Sequence, residues 1–371
     1  MLYLDQAATS WPKPASVLAA MENWYRELGV SPLRGSSDRC SAVADGVRKA
    51  RSGVGKLLGI PSHRIAFTSG ATESINLFLR GYLEAGDRVL TTAFEHSSVV
   101  RPLMALQQQL QIEIEVVPPS PDGSLDPDAI EEALRARPRL LVFTHASNVT
   151  GAVFDAARLC EMARQYGTKT LLDASQTAGQ LRLDHIEADA IVASAHKAMY
   201  GPPGLGVLAV REHLALTSCK QGGTGSSRAL AEHPTEWPAA FEAGTPNTPA
   251  ILGLAAALQW CARPEHKEGI ERIRNQVATL SRTLTEDARY CVLPAASCEP
   301  PTLLSFTRND LDPAEIGAIL ASQDIHVRTG HHCAPWLHEH LGTEATGTVR
   351  ISPGPEVSED DILRVSEALA D

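Results

Sequence analysis

The chain has 371 residues, 43% of them hydrophobic and 21% charged, and carries a formal net charge of −11. A chain of this size can bury a large core and is expected to divide into two domains, and its acidic balance argues against nucleic acid or an anionic membrane as the main partner. No apolar run approaches a membrane span, the first residues show neither a basic n-region nor an h-region, and the seven cysteines lack CxxC spacing, so we expect a cytoplasmic protein with free thiols.

Residues 1–4 read as a short strand, left through the small polar run Asp5-Gln6-Ala7-Ala8-Thr9-Ser10. Residues 15–29 have helical spacing (Val17, Leu18, Met21, Trp24, Tyr25, Leu28), and Gly29 is the expected stop. After a loop at 31–38 come a helix over about 42–58 and a strand at 64–68, which runs through Ser69-Gly70-Ala71-Thr72 into another helix. Strand and helix then alternate. Strands are expected at 88–91, 112–117, 139–144, 170–173, 188–193 and 206–210, with helices from about 99, over 127–136 and over 155–166. This rhythm implies an α/β fold: a mostly parallel sheet with helices on both faces and ligands at the carboxyl ends of its strands. The segment Gly222-Gly223-Thr224-Gly225-Ser226 is too flexible for a strand. A helix from about 259 to 288 broken near Pro264, strands at 302–308 and 348–352, and helices at 313–322 and 358–370 complete the chain. We expect residues 15–258 to form a large domain and residues 1–14 with 259–371 a smaller α+β one.

The chemistry gathers where strands end. Thr72, Glu95-His96, Asn148, Asp173 with Gln176, and His196-Lys197 each follow an expected strand at once. Lys197 leaves its strand through a small-residue turn and precedes Gly201-Pro202-Pro203-Gly204; alone it reads most simply as a surface lysine, but buried it becomes a nucleophilic amine for a carbonyl. Ser69-Gly70-Ala71-Thr72 at a helix start either caps that helix through Ser69 or Thr72 or cradles a phosphate. Taken together the residue types fit one ligand, a phosphorylated pyridine aldehyde. Asp173 would face a protonated ring nitrogen, Gln176 or Asn148 would donate to the phenolic oxygen, and His96 would cover the ring and move a proton. Thr72, Ser194 and His196 would take the phosphate. The plainer readings are an N-cap for Asp173 and a satisfied buried imidazole for His96.

Downstream, Cys333 sits in a Gly/His-rich loop beside two imidazoles and after Arg328, surroundings that favour a thiolate. His331, His332, Cys333, His338 and His340 also raise a metal site, although positions two apart on a helix do not face one another. Arg350, on the following strand, offers a bidentate fork to a substrate carboxylate, or else is a solvated edge arginine.

Tyr3-Leu4-Asp5-Gln6-Ala7-Ala8-Thr9, Thr72-Glu73-Ser74-Ile75-Asn76, Glu95-His96, the run from Thr144 to Gly151 and Asp173-Ala174-Ser175-Gln176 resemble the class V aminotransferase-like enzymes. Within these, Ser194-Ala195-His196-Lys197, Phe241-Glu242-Ala243-Gly244-Thr245-Pro246-Asn247 and Arg328-Thr329-Gly330-His331-His332-Cys333-Ala334-Pro335 look like group II cysteine desulfurases and selenocysteine lyases. The resemblance implies a fold-type I enzyme with a mostly parallel seven-stranded sheet, dependent on pyridoxal 5′-phosphate. By it, Lys197 binds the cofactor covalently, Asp173 faces the pyridine nitrogen, Gln176 the phenolic oxygen and His96 the ring. Thr72, Ser194 and His196 hold the phosphate with Thr245 from the neighbouring subunit of a homodimer, and Gly222–Ser226 lies near the dimer interface. Asn148, Arg328 and Arg350 bind an amino-acid substrate, L-cysteine or L-selenocysteine, and Cys333 takes its sulfur as a persulfide for an acceptor protein. A C–S or C–Se lyase without a persulfide, an aminotransferase or epimerase, and a non-catalytic scaffold are the competing readings. One departure stands out: where relatives commonly place a histidine after an Arg-Gly turn, this chain reads Arg34-Gly35-Ser36-Ser37-Asp38. The chain is also short for the family.

Overall fold

The strands, in chain order, are β1 (Leu2–Tyr3), β2 (Ile65–Thr68), β3 (Arg88–Thr92), β4 (Glu113–Val117), β5 (Leu140–Thr144), β6 (Lys169–Asp173), β7 (Ala190–Ser194), β8 (Gly206–Val210), β9 (Tyr290–Val292), β10 (Leu304–Arg308), β11 (Ile325–His326), β12 (Arg328–Gly330) and β13 (Thr348–Ile351). The helices are α1 (Ala15–Asn23), α2 (Asp38–Leu58), α3 (Ala71–Tyr82), α4 (Ser97–Leu110), α5 (Pro127–Leu134), α6 (Ala156–Gln165), α7 (Thr248–Cys261), α8 (Pro264–Glu286), α9 (Pro313–Ser322), α10 (Pro335–Leu341) and α11 (Glu359–Ala370). The structure is a computed structural model and describes residues 1–32, 37–225 and 231–370.

A seven-stranded sheet in the order β2-β8-β7-β6-β5-β3-β4 forms the centre, all parallel except β8, which runs against both neighbours. Its inner strands read as continuous apolar runs because helices cover both faces, as the βαβ rhythm requires. Alternation then splits the core. Leu90, Leu141, Phe143, Leu172, Ile191 and Val207 pack into one apolar cluster, and Val89, Leu140, Val142, Leu171, Val192 and Leu208 into the other. Each such fully buried side chain is worth about 1.5–3 kcal/mol relative to exposure.

A third cluster joins Leu2 and Leu4 to residues from α8, α9, α11 and the four-stranded antiparallel sheet β12-β13-β10-β9. The N-terminal strand enters it by pairing in parallel with β11. Among the described residues no helix is long and apolar enough to cross a membrane.

Local signals set most boundaries. Gly29 ends the first helix in the left-handed region, after a π-helical turn over Trp24–Leu28. Asp312 and Glu315 form a capping box at α9, which occupies the expected span. The largest difference lies in α7, which begins at Thr248, eleven residues before the helix expected from about 259. Asn247 caps it with Pro249 in its first turn, a start signal masked by the Gly/Pro-rich run before it. Strands β9, β11 and β12 and helix α10 are too short to show periodicity in sequence, and only the tertiary pairings reveal them.

Candidate active site

The carboxyl ends of β3, β5, β6 and β7 open side by side, and each releases a polar residue there. β6 ends in Asp173, buried, its Oδ1 accepting from the Ser175 amide at 2.9 Å. β7 ends in Ser194, and the turn that follows carries Lys197. Burial lowers the Lys197 amine below its ordinary range; the Asp173 charge opposes that, and the Arg350 and Arg328 charges reinforce it. A lowered pKa raises the share of the free amine, which is the nucleophilic form.

His96 is the N-cap of α4, its Nδ1 accepting from the Ser98 amide at 3.0 Å. Burial, with the Lys197 charge, holds the imidazole down to about 4, against the pull of Asp173. The ring is therefore neutral at pH 7, and with Nδ1 accepting, its proton sits on Nε2. Glu95, one residue earlier, is fully buried; Oε1 accepts from Thr92 Oγ1 at 2.7 Å and the Thr144 amide at 3.0 Å, while Oε2 has no partner. Burial raises this carboxyl to about 8.

At α3 the N-cap is Gly70, and neither Ser69 nor Thr72 caps the helix with its side chain. The capping reading is thereby corrected: the Ala71 amide donates to Ser194 Oγ at 3.3 Å, Thr72 is exposed, and nothing lies within 4 Å of where a Gly70 Cβ would stand. Gly206 makes the approach possible, because a Cβ there would fall 2.3 Å from the Gly70 carbonyl carbon. His196 is half-buried beside this turn; burial and the Lys197 charge lower its pKa to about 4. Its carbonyl accepts from Lys13 Nζ at 2.9 Å. A helix N-terminus with open space, a buried carboxylate and a depressed amine form a donor set that suits a phosphorylated pyridine aldehyde.

Gln176 donates through Nε2 to the Ala7 carbonyl at 3.0 Å and lines a small cavity of about 20 Å³ with Lys197. Asn148 joins the sheet to the C-terminal part of the site: Nδ2 donates to the His332 carbonyl at 2.6 Å, and its own carbonyl accepts from Arg350 Nη1 at 2.8 Å.

Arg350 is only 1% exposed, which corrects the solvated-edge reading. Its Nη2 donates to Asp5 Oδ1 at 2.6 Å, while Nε has no partner. Arg328 stands directly opposite it on β12, so two guanidinium groups share one face of an antiparallel pair. Like charges there repel, and an added carboxylate would relieve them. Cys333 is exposed on the loop after β12, with Sγ 3.8 Å from Arg328 Nη2.

Thr245 does not join Lys197 within one chain. It is exposed in a separate cavity of about 160 Å³ with Ser69, Glu73 and Lys220. His338 and His340 lie on α10, and among the described residues no group of three His, Cys, Asp or Glu could hold a metal ion. Arg34, Gly35, Ser36 and Ser226 lie outside the described residues; Asp38 opens α2 and is exposed.

Sequence reasoning missed Asp5, Glu95 as a buried acid, and Ser97, which contacts the Cys333 loop. Asp5 obeys the rule that found the others, a polar residue ending an apolar strand. Nothing in the sequence marks Ser97.

The chain matches the aminotransferase class-V family over residues 2–365. It is similar to a probable cysteine desulfurase of Xylella fastidiosa (strain 9a5c), at 31% identity over 93% of this chain and 85% of the relative. It is also similar to a cysteine desulfurase of Klebsiella pneumoniae, at 32% identity over 90% of this chain and 84% of that one. Among solved structures, the apo cysteine desulfurase of Thermococcus onnurineus NA1 superposes with a TM-score of 0.92 at 29% identity, covering 99% of this chain and 93% of the other. A cysteine desulfurase of Escherichia coli in an S-sulfonic acid form gives 0.89 at 29% identity, with the same coverage of 99% and 93%.

Proposed function

This chain belongs to the aminotransferase class-V family, and we propose that it is a pyridoxal 5′-phosphate-dependent cysteine desulfurase that converts L-cysteine to L-alanine and keeps the sulfur on Cys333. The observation that carries this reading is that the Cys333 loop is seated on the strand-end edge that bears Lys197 and Asp173: Ser97, next to His96, donates to the Cys333 carbonyl, Cys333 Sγ lies 3.8 Å from Arg328 Nη2, and Arg328 stands opposite Arg350, which donates to the Asn148 carbonyl.

Pyridoxal phosphate, when bound, supplies an aldehyde for the substrate amine and an electron-withdrawing ring that stabilises negative charge at Cα. Lys197 would hold it covalently, Asp173 would keep its ring nitrogen protonated, His96 would cover the ring, and Gln176 would donate to the phenolic oxygen. Thr72, Ser194, His196 and the α3 N-terminus would take the phosphate, joined by Thr245 of a second subunit in a homodimer. Arg350 and Arg328 bind the substrate carboxylate, helped by Asn148; two of Arg350's five N–H donors are engaged, which leaves donors for a ligand. The Lys197 amine, when not bonded to the cofactor, would take the Cα proton of the substrate, a role its lowered pKa favours.

The Cys333 thiolate then attacks the substrate sulfur. The carbon–sulfur bond would break with its electron pair left on carbon; Cβ would take up a proton to become a methyl group, Cα would regain the proton it lost, giving alanine, and Cys333 would retain the sulfur as a persulfide. His96, neutral with its proton on Nε2, manages a proton in this step. The persulfide passes to an acceptor protein. In this reading residues 15–258 carry the cofactor, residues 1–14 with 259–371 supply the substrate clamp, and seven cysteines without CxxC spacing suit a cytoplasmic setting.

The deciding experiment incubates protein reconstituted with pyridoxal phosphate with L-cysteine and a reductant, measuring alanine and sulfide, beside Cys333→Ser. The wild type should release both in equal amounts, and the variant should lose turnover by roughly 100-fold or more, since removal of a nucleophile abolishes its step. Undiminished sulfide from Cys333→Ser would instead assign a lyase that needs no persulfide. L-selenocysteine, whose selenide leaves more readily, should still be cleaved by the variant.

A further inference from the structure

Cys333 and the residue before it share an uncommon backbone. His332 has φ 48° and Cys333 φ 61°, a left-handed pair without glycine. Such a conformation persists only where the surroundings over-determine it. Three contacts do so. Asn148 Nδ2 donates to the His332 carbonyl at 2.6 Å, and His332 Nε2 lies 2.9 Å from Thr348 Oγ1. The third is double: the Cys333 carbonyl accepts from both the Ser97 amide at 2.7 Å and Ser97 Oγ at 3.0 Å.

Ser97 is the first residue of α4, so its amide is one of the donors a helix leaves unpaired at its start, on the positive end of its dipole. His96, immediately before it, is the N-cap. The carbonyl of the exposed cysteine is thus seated on the residue adjoining the imidazole of the site. We propose that Ser97 is a positioning residue: by seating the Cys333 carbonyl on the start of α4 it fixes the distance between the thiol and the site that His96 covers. The inference rests on the desulfurase reading for the reason that this distance matters, not for the tether itself.

Three variants separate the tether from the fold. Ser97→Thr keeps both donors. Ser97→Ala removes the hydroxyl alone. Ser97→Pro removes both, and its ring carbon occupies the place of the lost amide hydrogen and displaces the Cys333 carbonyl. Proline is favoured at a first helical position, and the φ −67° and ψ 153° of His96 are what a residue before proline adopts, so α4 should survive.

The first readout is hydrogen exchange of the 331–335 segment, which needs no catalysis. It should quicken in the order wild type and Ser97→Thr, then Ser97→Ala, then Ser97→Pro, by roughly 10-fold for one lost hydrogen bond. The second is kinetic: kcat for L-cysteine should fall roughly 100-fold in Ser97→Pro, as for a reacting group displaced by about 1 Å, with KM and the visible cofactor band unchanged. L-selenocysteine cleavage should be spared. Wild-type exchange or kcat in Ser97→Pro overturns the proposal; should that variant misfold, wild-type exchange in Ser97→Ala does so. A wild type that releases no alanine from cysteine sinks the functional reading, while the exchange order still judges the tether.

Discussion

The strand-end half of the site and the loop half are held in place by different means. Asp173, Ser194 and Lys197 project from one rigid sheet, and neighbouring parallel strands fix their spacing. Arg328, Cys333 and Arg350 come from the C-terminal part and reach the sheet side through a few hydrogen bonds, Ser97 to Cys333 and Asn148 to His332 and Arg350, while Asp5 pairs with Arg350 within their own part. On the proposed reading the sheet would hold the cofactor whatever the loop half does, while substrate selection would depend on the hydrogen bonds, which single substitutions can detune.

Lys197→Ala strikes the strand-end half. It should abolish turnover, by roughly 1000-fold or more, and remove the visible absorbance of the reconstituted protein. A variant still coloured and active would show that the sheet half does not bind the cofactor.

Asp5→Asn strikes the loop half. It leaves the Arg350 guanidinium buried without a counter-charge, which should cost about 3–5 kcal/mol in denaturant unfolding. KM for cysteine should rise while the visible band stays. Equal loss of colour and of substrate binding would mean that the two halves are not separable.

The smallest effect concerns Glu95, between strand ends. Its carboxyl is held protonated up to about 8 in the fold, against about 4.5 when unfolded. The folded state therefore binds the extra proton between those values, and its stability falls as pH rises through them. Glu95→Gln removes that dependence, so its melting temperature relative to wild type should climb from pH 5 to pH 8, by roughly a few degrees. A constant difference would mean that Glu95 is ionised in the native sheet.

The two halves also differ in how far the sequence discloses them. Asp173, Lys197 and the α3 start follow apolar strands with clear boundaries, so their shared edge follows from βαβ rhythm alone. The opposition of Arg328 and Arg350 does not, since β12 is three residues long and its register is a tertiary fact. Asp5 could have been found by the strand-end rule, but its partner lies 345 residues away. Ser97 reads as an ordinary first-turn serine, because what it holds is a backbone carbonyl of another segment. The missed start of α7 has a simpler cause: Gly244 and Pro246 mark a loop, and the helix begins directly behind it.

The pairing of Asp5 with Arg350 has a consequence for how the molecule is made. Every strand of the central sheet has been translated by residue 210, so the edge that carries Asp173 and Lys197 is complete in sequence long before the chain ends. The carboxylate clamp closes only when the last strand arrives to meet a residue synthesised at the outset. The two ends of the chain must therefore meet before the Asp5–Arg350 pair can form.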